Sequence, residues 1–92
     1  MGTIRDKVAI VGMGCTKFGS NWDKSAEDMM VEAAYEAYED AGIEPKDIEA
    51  AWLGCFMPCY PTGQYLAAAL QTPYIPVTRI ENACASGSDA IR

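Results

Sequence analysis

The spacing of apolar residues predicts one long amphipathic helix in the first half of the chain. Ser25-Ala26-Glu27-Asp28 has the pattern of a capping box, and Gly42 followed by Pro45 supplies a helix stop. Between them, apolar side chains recur at the i, i+3, i+4, i+7 spacing of one helix face: Ala26, Met29, Met30, Ala33, Ala34, Ala37, Tyr38 and Ala41. We predict a helix over 25–41 whose Met and Tyr side chains pack in a core.

Shorter apolar runs on either side of this helix predict three strands and a second helix. Runs rich in β-branched and aromatic residues predict strands near 7–12, 50–56 and 77–83, and an alanine-rich run predicts a helix near 62–71. The order β-α-β-α-β, followed by the start of a third helix, is typical of an α/β fold with a mainly parallel sheet.

Two glycines follow the first predicted strand and allow two interpretations. Gly12-x-Gly14 is reminiscent of a nucleotide-binding loop, but Gly19 comes too late for the full pattern and no helix opens directly after the turn. A flexible turn with Phe18 and Trp22 packed beneath it is the favoured interpretation.

The composition is typical of a folded protein, and acidic residues outnumber basic ones. Of the 92 residues, 50% are hydrophobic and 22% are charged, with a net charge of −6. No basic patch favours nucleic acid, and no apolar run is long enough for a signal peptide or a membrane span. We therefore expect a cytoplasmic protein that does not bind nucleic acid and has no membrane span.

The four cysteines, Cys15, Cys55, Cys59 and Cys84, have no secretory context, so we expect reduced thiols. A zinc site is not expected, because the sequence has no histidine and the Cys55/Cys59 pair is not matched by a second close pair. We predict neither a metal nor a cofactor.

Cys84 is the candidate for chemistry. It falls where the strand predicted at 77–83 gives way to a helix, and an N-terminal helix dipole stabilises a thiolate, which is the nucleophilic form. Ser86, Ser88 and Asp89 could form hydrogen bonds around the start of that helix. The residues alone leave two interpretations open, a nucleophile and a buried cysteine that packs in a turn of small residues.

Two motifs resemble the thiolase superfamily. Asn82-Ala83-Cys84-Ala85-Ser86-Gly87 is similar to its nucleophile motif, especially in sterol-carrier-protein-type and archaeal acetoacetyl-CoA thiolases. Val8 to Gly19 is similar to the first strand and loop of the same branch, and the likeness covers nearly all 92 residues. The resemblance implies a layered thiolase-like fold in which residues 1–92 form the N-terminal part of the N-terminal domain. It also implies that Cys84 accepts an acyl group as a thioester, with the coenzyme A thioester as substrate.

The resemblance also shows what these residues lack. In the family, a second cysteine and histidines further along the chain act as acid and base and build the oxyanion holes. This sequence has no histidine, and its other cysteines do not match that second position. We therefore expect the 92 residues alone to be inactive. The alternatives are a related condensing enzyme, of the ketoacyl synthase or hydroxymethylglutaryl-CoA synthase type, and a non-catalytic thiolase-like subunit.

The resemblance extends to assembly. Similar thiolases pair through the strand before the nucleophile, here 77–83, which implies a homodimer or higher oligomer. Several enzymes of this branch also work with a small zinc-ribbon/OB-fold partner subunit. The acyl specificity and the direction of the reaction are not encoded in these residues.

Overall fold

A computed structural model describes residues 2–55 and 63–91 of the chain. The regular elements, in chain order, are helix α1 (Ala26–Ala41), strand β1 (Ala51–Gly54), helix α2 (Gly63–Leu70), strand β2 (Val77–Ile80) and helix α3 (Ser86–Ala90). Short 3₁₀ turns at Pro45–Asp47 and Ala83–Ala85 follow α1 and β2. The α/β class predicted from the sequence is confirmed.

Helix α1 begins and ends as its sequence predicts. The Asp28 amide donates to the Ser25 hydroxyl at 3.1 Å, and the Ser25 amide donates to the Asp28 carboxylate at 3.1 Å. Gly42 ends the helix in the left-handed conformation, with a φ of 72°. All eight residues of the predicted apolar face are half-buried. Among them, burial and then the neighbouring Tyr35 raise the pKa of the Tyr38 phenol.

The two strands form a small parallel sheet, on which α2 packs. Ala51 pairs with Val77 at one end of the sheet, and Gly54 pairs with Ile80 at the other. Helix α2 contacts both α1 and the strands. The buried apolar side chains of the described residues, Leu66 and Leu70, belong to α2. The small apolar core therefore lies where α2 meets α1 and the sheet.

The strand predicted at 7–12 does not form, and this prediction is wrong for the described residues. The amides of residues 8–12 make no backbone hydrogen bond to other described residues, and Val8 and Ile10 are 73% and 82% exposed. A strand requires a neighbour that completes its hydrogen-bond ladder. In the described part of the chain β1 and β2 pair with each other, and the segment lies against α1 instead.

Gly12 and Gly14 bring this segment into close contact with the backbone of α1. A Cβ at Gly12 would lie 2.5 Å from the Ala37 carbonyl oxygen, and one at Gly14 would lie 1.9 Å from the Ala33 carbonyl oxygen. Between them, the Met13 amide donates to the Asp40 carboxylate at 3.0 Å. The two glycines therefore allow the segment to pack closely on α1. The prediction of a flexible turn at this place is wrong.

Phe18 and Trp22 were expected beneath this turn, and that prediction is also wrong, since they are 87% and 92% exposed. The loop folds on itself through Asn21, whose side-chain amide donates to the carbonyls of Lys17 at 3.1 Å and Gly19 at 3.3 Å. With these polar bonds on its inner side, the loop directs both aromatic rings outwards.

The remaining boundaries differ from the predictions by a few residues. Strand β2 ends at Ile80 rather than 83, because the chain turns back on itself from Asn82. The ends predicted at 56 and 62 lie outside the described residues. No helix in the described ranges combines the length and the apolar character that crossing a membrane requires.

Candidate functional site

The carboxyl ends of β1 and β2 lie side by side and define one edge of the sheet. The Cys55 amide, directly after β1, donates to the Ile80 carbonyl at the end of β2 with a distance of 3.1 Å. Cys84 lies just beyond this edge, in the 3₁₀ turn between β2 and α3. In open α/β sheets this edge is where ligands bind, so Cys84 occupies the position that the sequence predicted.

Four hydrogen bonds close the turn that carries Cys84, and one of them runs from the Ser86 backbone amide to the Ala83 carbonyl. The Ser86 hydroxyl accepts from the Asn82 amide at 2.9 Å and donates to the Ala83 carbonyl at 2.8 Å. The Ala85 amide donates to the Asn82 carbonyl at 2.9 Å. Cys84 therefore lies at the apex of a closed loop of five residues.

The backbone before Cys84 adopts an uncommon conformation that side chains hold in place. Ala83 has a φ of 47°, in the left-handed region that costs a residue other than glycine about 1–2 kcal/mol. Its amide donates to the Glu81 carboxylate. The Asn82 side chain donates to the Asp89 carboxylate in α3 at 2.7 Å. Strain of this kind persists where the surrounding structure over-determines it, and it is concentrated at functional sites.

Exposure separates Cys84 from the serine that closes its turn. Cys84 is exposed, as are Ala83, Ala85 and Gly87 around it, whereas Ser86 is only 6% exposed. Within the described part of the chain, Cys84 is therefore not buried in the way that the packing interpretation requires. Its small neighbours leave the thiol open to a bulky reactant.

The end of β1 lies close against Ser86, and sequence reasoning missed this contact. A Cβ at Gly54 would lie 2.6 Å from the Ser86 carbonyl oxygen, so the end of β1 presses directly on the start of α3. A glycine inside a predicted strand often marks a close approach of another backbone, and that signal was available in the sequence. The residue that approaches Gly54 was not predictable, because the contact joins residues far apart in the chain.

The other cysteines lie in different settings. Cys15 is exposed in the loop before α1, and its thiol donates to the Thr16 carbonyl at 3.2 Å. Cys55 is half-buried at the same sheet edge as Cys84, whereas Cys59 lies outside the described residues. Within residues 2–55 and 63–91, no three His, Cys, Asp or Glu side chains gather in a way that could hold a metal ion.

The fold and the site define a class: an α/β protein with an exposed cysteine on a tight turn beyond the carboxyl edge of a parallel sheet. The family described as Thiolase, N-terminal domain, matches residues 8–92. The chain belongs to this family, as its Asn82–Gly87 motif had indicated.

Similar proteins include an acetyl-CoA acetyltransferase of Methanocaldococcus jannaschii, 44% identical over 90 residues that cover 92% of this chain. A hydroxymethylglutaryl-CoA synthase of Thermococcus gammatolerans is 38% identical over 74 residues, 76% of this chain. The chain spans 23% and 21% of these two relatives. The crystal structure of 3-oxoacyl-[acyl-carrier-protein] synthase III from Aquifex aeolicus shares the fold, with a TM-score of 0.63 at 20% identity over 75% of this chain and 23% of that one.

Proposed function

We propose that this chain supplies the nucleophile of a thiolase-type acyl-CoA acyltransferase. The observation that carries the proposal is the placement of Cys84, exposed at the apex of a closed turn beyond the carboxyl edge of the sheet. Its family membership and the acetyl-CoA acetyltransferase among its relatives favour an acyl-CoA as the substrate.

The proposed reaction begins at the Cys84 sulfur. The Cys84 thiolate attacks the carbonyl carbon of an acyl-CoA, and a new carbon–sulfur bond forms to the protein. As the tetrahedral intermediate collapses, the bond to coenzyme A breaks, and the coenzyme leaves as a thiolate that takes up a proton. The acyl group then rests on Cys84 as a thioester, ready for transfer to a second acceptor.

Further groups must complete the proposed site. Nucleophilic catalysis needs a base to activate the thiol and donors to stabilise the oxyanion, and this sequence has no histidine for the first task. We therefore propose that the chain acts within a larger polypeptide or assembly and that the 92 residues alone do not turn over. The share of its relatives that it spans supports this part of the proposal.

Substitution of the cysteine tests the proposal. In the complete protein that carries this chain, Cys84→Ala should lower the rate of acyl transfer on the order of 10⁴-fold or more, because the attacking atom is lost. Cys84→Ser should be similarly inactive, because a hydroxyl is far less ionised than a thiol at neutral pH. The measurement is steady-state release of coenzyme A with acetyl-CoA and acetoacetyl-CoA as substrates.

Cys15→Ala is the matched control, because it removes another exposed thiol, which lies in the loop before α1. Its turnover should stay within about twofold of the unaltered protein, as for most surface substitutions. Full turnover by the Cys84→Ala protein would refute the proposed function.

A second candidate is a condensing enzyme that makes hydroxymethylglutaryl-CoA. The similarity to the Thermococcus gammatolerans synthase favours it, and the same thioester on Cys84 would serve its first step. Product analysis separates the two candidates. Acetyl-CoA supplied together with acetoacetyl-CoA yields hydroxymethylglutaryl-CoA only if the second candidate is correct.

A further inference from the structure

We propose that Ser86 is a positioning residue for the Cys84 nucleophile. The inference rests on the proposed function, since it assigns a role in the acylation of Cys84. Ser86 does not need to touch the substrate for this role. It acts through the turn, by fixing where the sulfur stands relative to the carbonyl that it attacks.

The first support is the pair of hydrogen bonds that the hydroxyl makes. Ser86 Oγ accepts from the Asn82 amide and donates to the Ala83 carbonyl, with distances of 2.9 and 2.8 Å. Both partners precede Cys84, whereas Ser86 follows it. One oxygen atom therefore joins the two sides of the turn and fixes the backbone on which the thiol is mounted.

The second support is the anchoring of Ser86 itself. It is 6% exposed, although Cys84, Ala85 and Gly87 around it are exposed. Behind it the end of β1 approaches so closely that a Cβ at Gly54 would lie 2.6 Å from the Ser86 carbonyl oxygen. The Ser86 backbone therefore packs against the end of β1, which limits its movement. Through its two side-chain hydrogen bonds, Ser86 also limits the movement of the backbone around Cys84.

Loss of the hydroxyl would loosen the turn. The Asn82 amide would lose its partner, and the Ala83 carbonyl would keep only its bond from the Ser86 backbone amide. The left-handed backbone of Ala83, with its φ of 47°, would then be held less firmly from this side. A shift of the sulfur of about 1 Å is enough to cost about a hundredfold in a reaction that depends on near-attack geometry.

The test compares Ser86→Ala, Ser86→Thr and Ser88→Ala in the complete protein. Ser88→Ala is the matched control, because it removes the same hydroxyl from an exposed position of the same helix. The measurements are the single-turnover rate of Cys84 acylation at saturating acetyl-CoA, the half-saturating acetyl-CoA concentration, alkylation of Cys84 by iodoacetamide and the thermal unfolding midpoint.

Ser86→Ala should slow acylation by about a hundredfold while the half-saturating concentration stays within about threefold of the unaltered protein. Iodoacetamide, a small reagent that needs no aligned carbonyl, should react at a rate within about threefold of normal, whereas a general loss of structure would alter both reactions together. Ser86→Thr retains the hydroxyl and should keep at least about a tenth of the normal acylation rate. Ser88→Ala should behave as the unaltered protein.

Acylation of the Ser86→Ala protein at the normal rate overturns the proposal, as does an equal fall in acylation and alkylation. If Ser86→Ala does not fold, Ser86→Thr decides: a folded Thr protein that acylates a hundredfold more slowly contradicts a role for the hydroxyl. The proposed function fails in a different way, namely if the acyl group in the unaltered protein is not on Cys84.

Discussion

Single small residues decide how closely the backbones of this protein approach one another. At Gly14 the missing side chain lets the chain lie on the Ala33 carbonyl of α1, and at Gly54 it lets β1 lie on the Ser86 carbonyl of α3. In both places an added Cβ would meet backbone oxygen, which cannot rotate away as a side chain can. These two contacts seat the N-terminal segment on its helix and the cysteine turn on its sheet.

Gly14→Ala should therefore destabilise the complete protein by about 1–3 kcal/mol, the usual cost of overpacking, because the segment must move away from α1. Gly87→Ala is the control, since a Cβ there meets nothing within 4 Å. Denaturant unfolding followed by circular dichroism measures both variants. Equal stability of the Gly14→Ala protein and the unaltered protein would show that the segment does not rest on α1.

At the same scale, part of the site was predictable from the sequence. The motif and the predicted strand–helix junction identified Cys84 as the candidate, and local hydrogen bonding by Ser86 and Asp89 was expected. The hydrogen-bond partners of these side chains were less predictable. Ser86 bonds back to Asn82 and Ala83, and no pattern of residue types encodes the positive φ of Ala83.

Helices and strands differ in how much of their structure a local pattern contains. The bounds of α1 follow from residues within it and beside it, namely the capping serine, the apolar spacing and the final glycine. A strand depends on a neighbour elsewhere in the chain. The strands predicted near 50–56 and 77–83 pair with each other. The run at 7–12 has the residue types of a strand, but it lacks a pairing partner among the described residues.

This difference leads to a prediction about the run at 7–12. We expect it to pair with another strand in the complete protein, because its β-branched side chains are exposed and the amides of residues 8–12 make no backbone hydrogen bond to other described residues. Hydrogen–deuterium exchange followed by mass spectrometry should then show slow exchange at residues 8–11 in the complete protein and fast exchange in the 92-residue chain. Fast exchange in both would contradict this pairing.

On the scale of the whole molecule, large apolar side chains are exposed over much of the surface, which is unusual for a monomer. Before α1 the exposed residues are Ile4, Val8, Ile10, Val11, Met13, Phe18 and Trp22. Trp52 and Tyr74 are exposed elsewhere. A surface of this kind is typical of a piece that other polypeptide covers, and no local pattern in the sequence states what that covering is.

The prediction for the whole molecule concerns its oligomeric state. In the described sheet β2 pairs with β1 along one side, so its other side can face a second copy. We propose that the complete protein is a dimer or higher oligomer with β2 at or near a two-fold axis. Sedimentation equilibrium should give at least twice the protomer mass. A single monomeric species across micromolar concentrations would contradict the proposal.

The proposed function depends on acylation of the Cys84 sulfur. The most direct measurement is incubation of the complete protein with acetyl-CoA, followed by acid quenching, proteolysis and peptide mapping by mass spectrometry. We predict one acetyl group, bound as a thioester to the peptide that contains Cys84 and absent from the Cys84→Ala protein. An acetyl group on Cys15, Cys55 or Cys59 instead would contradict the account.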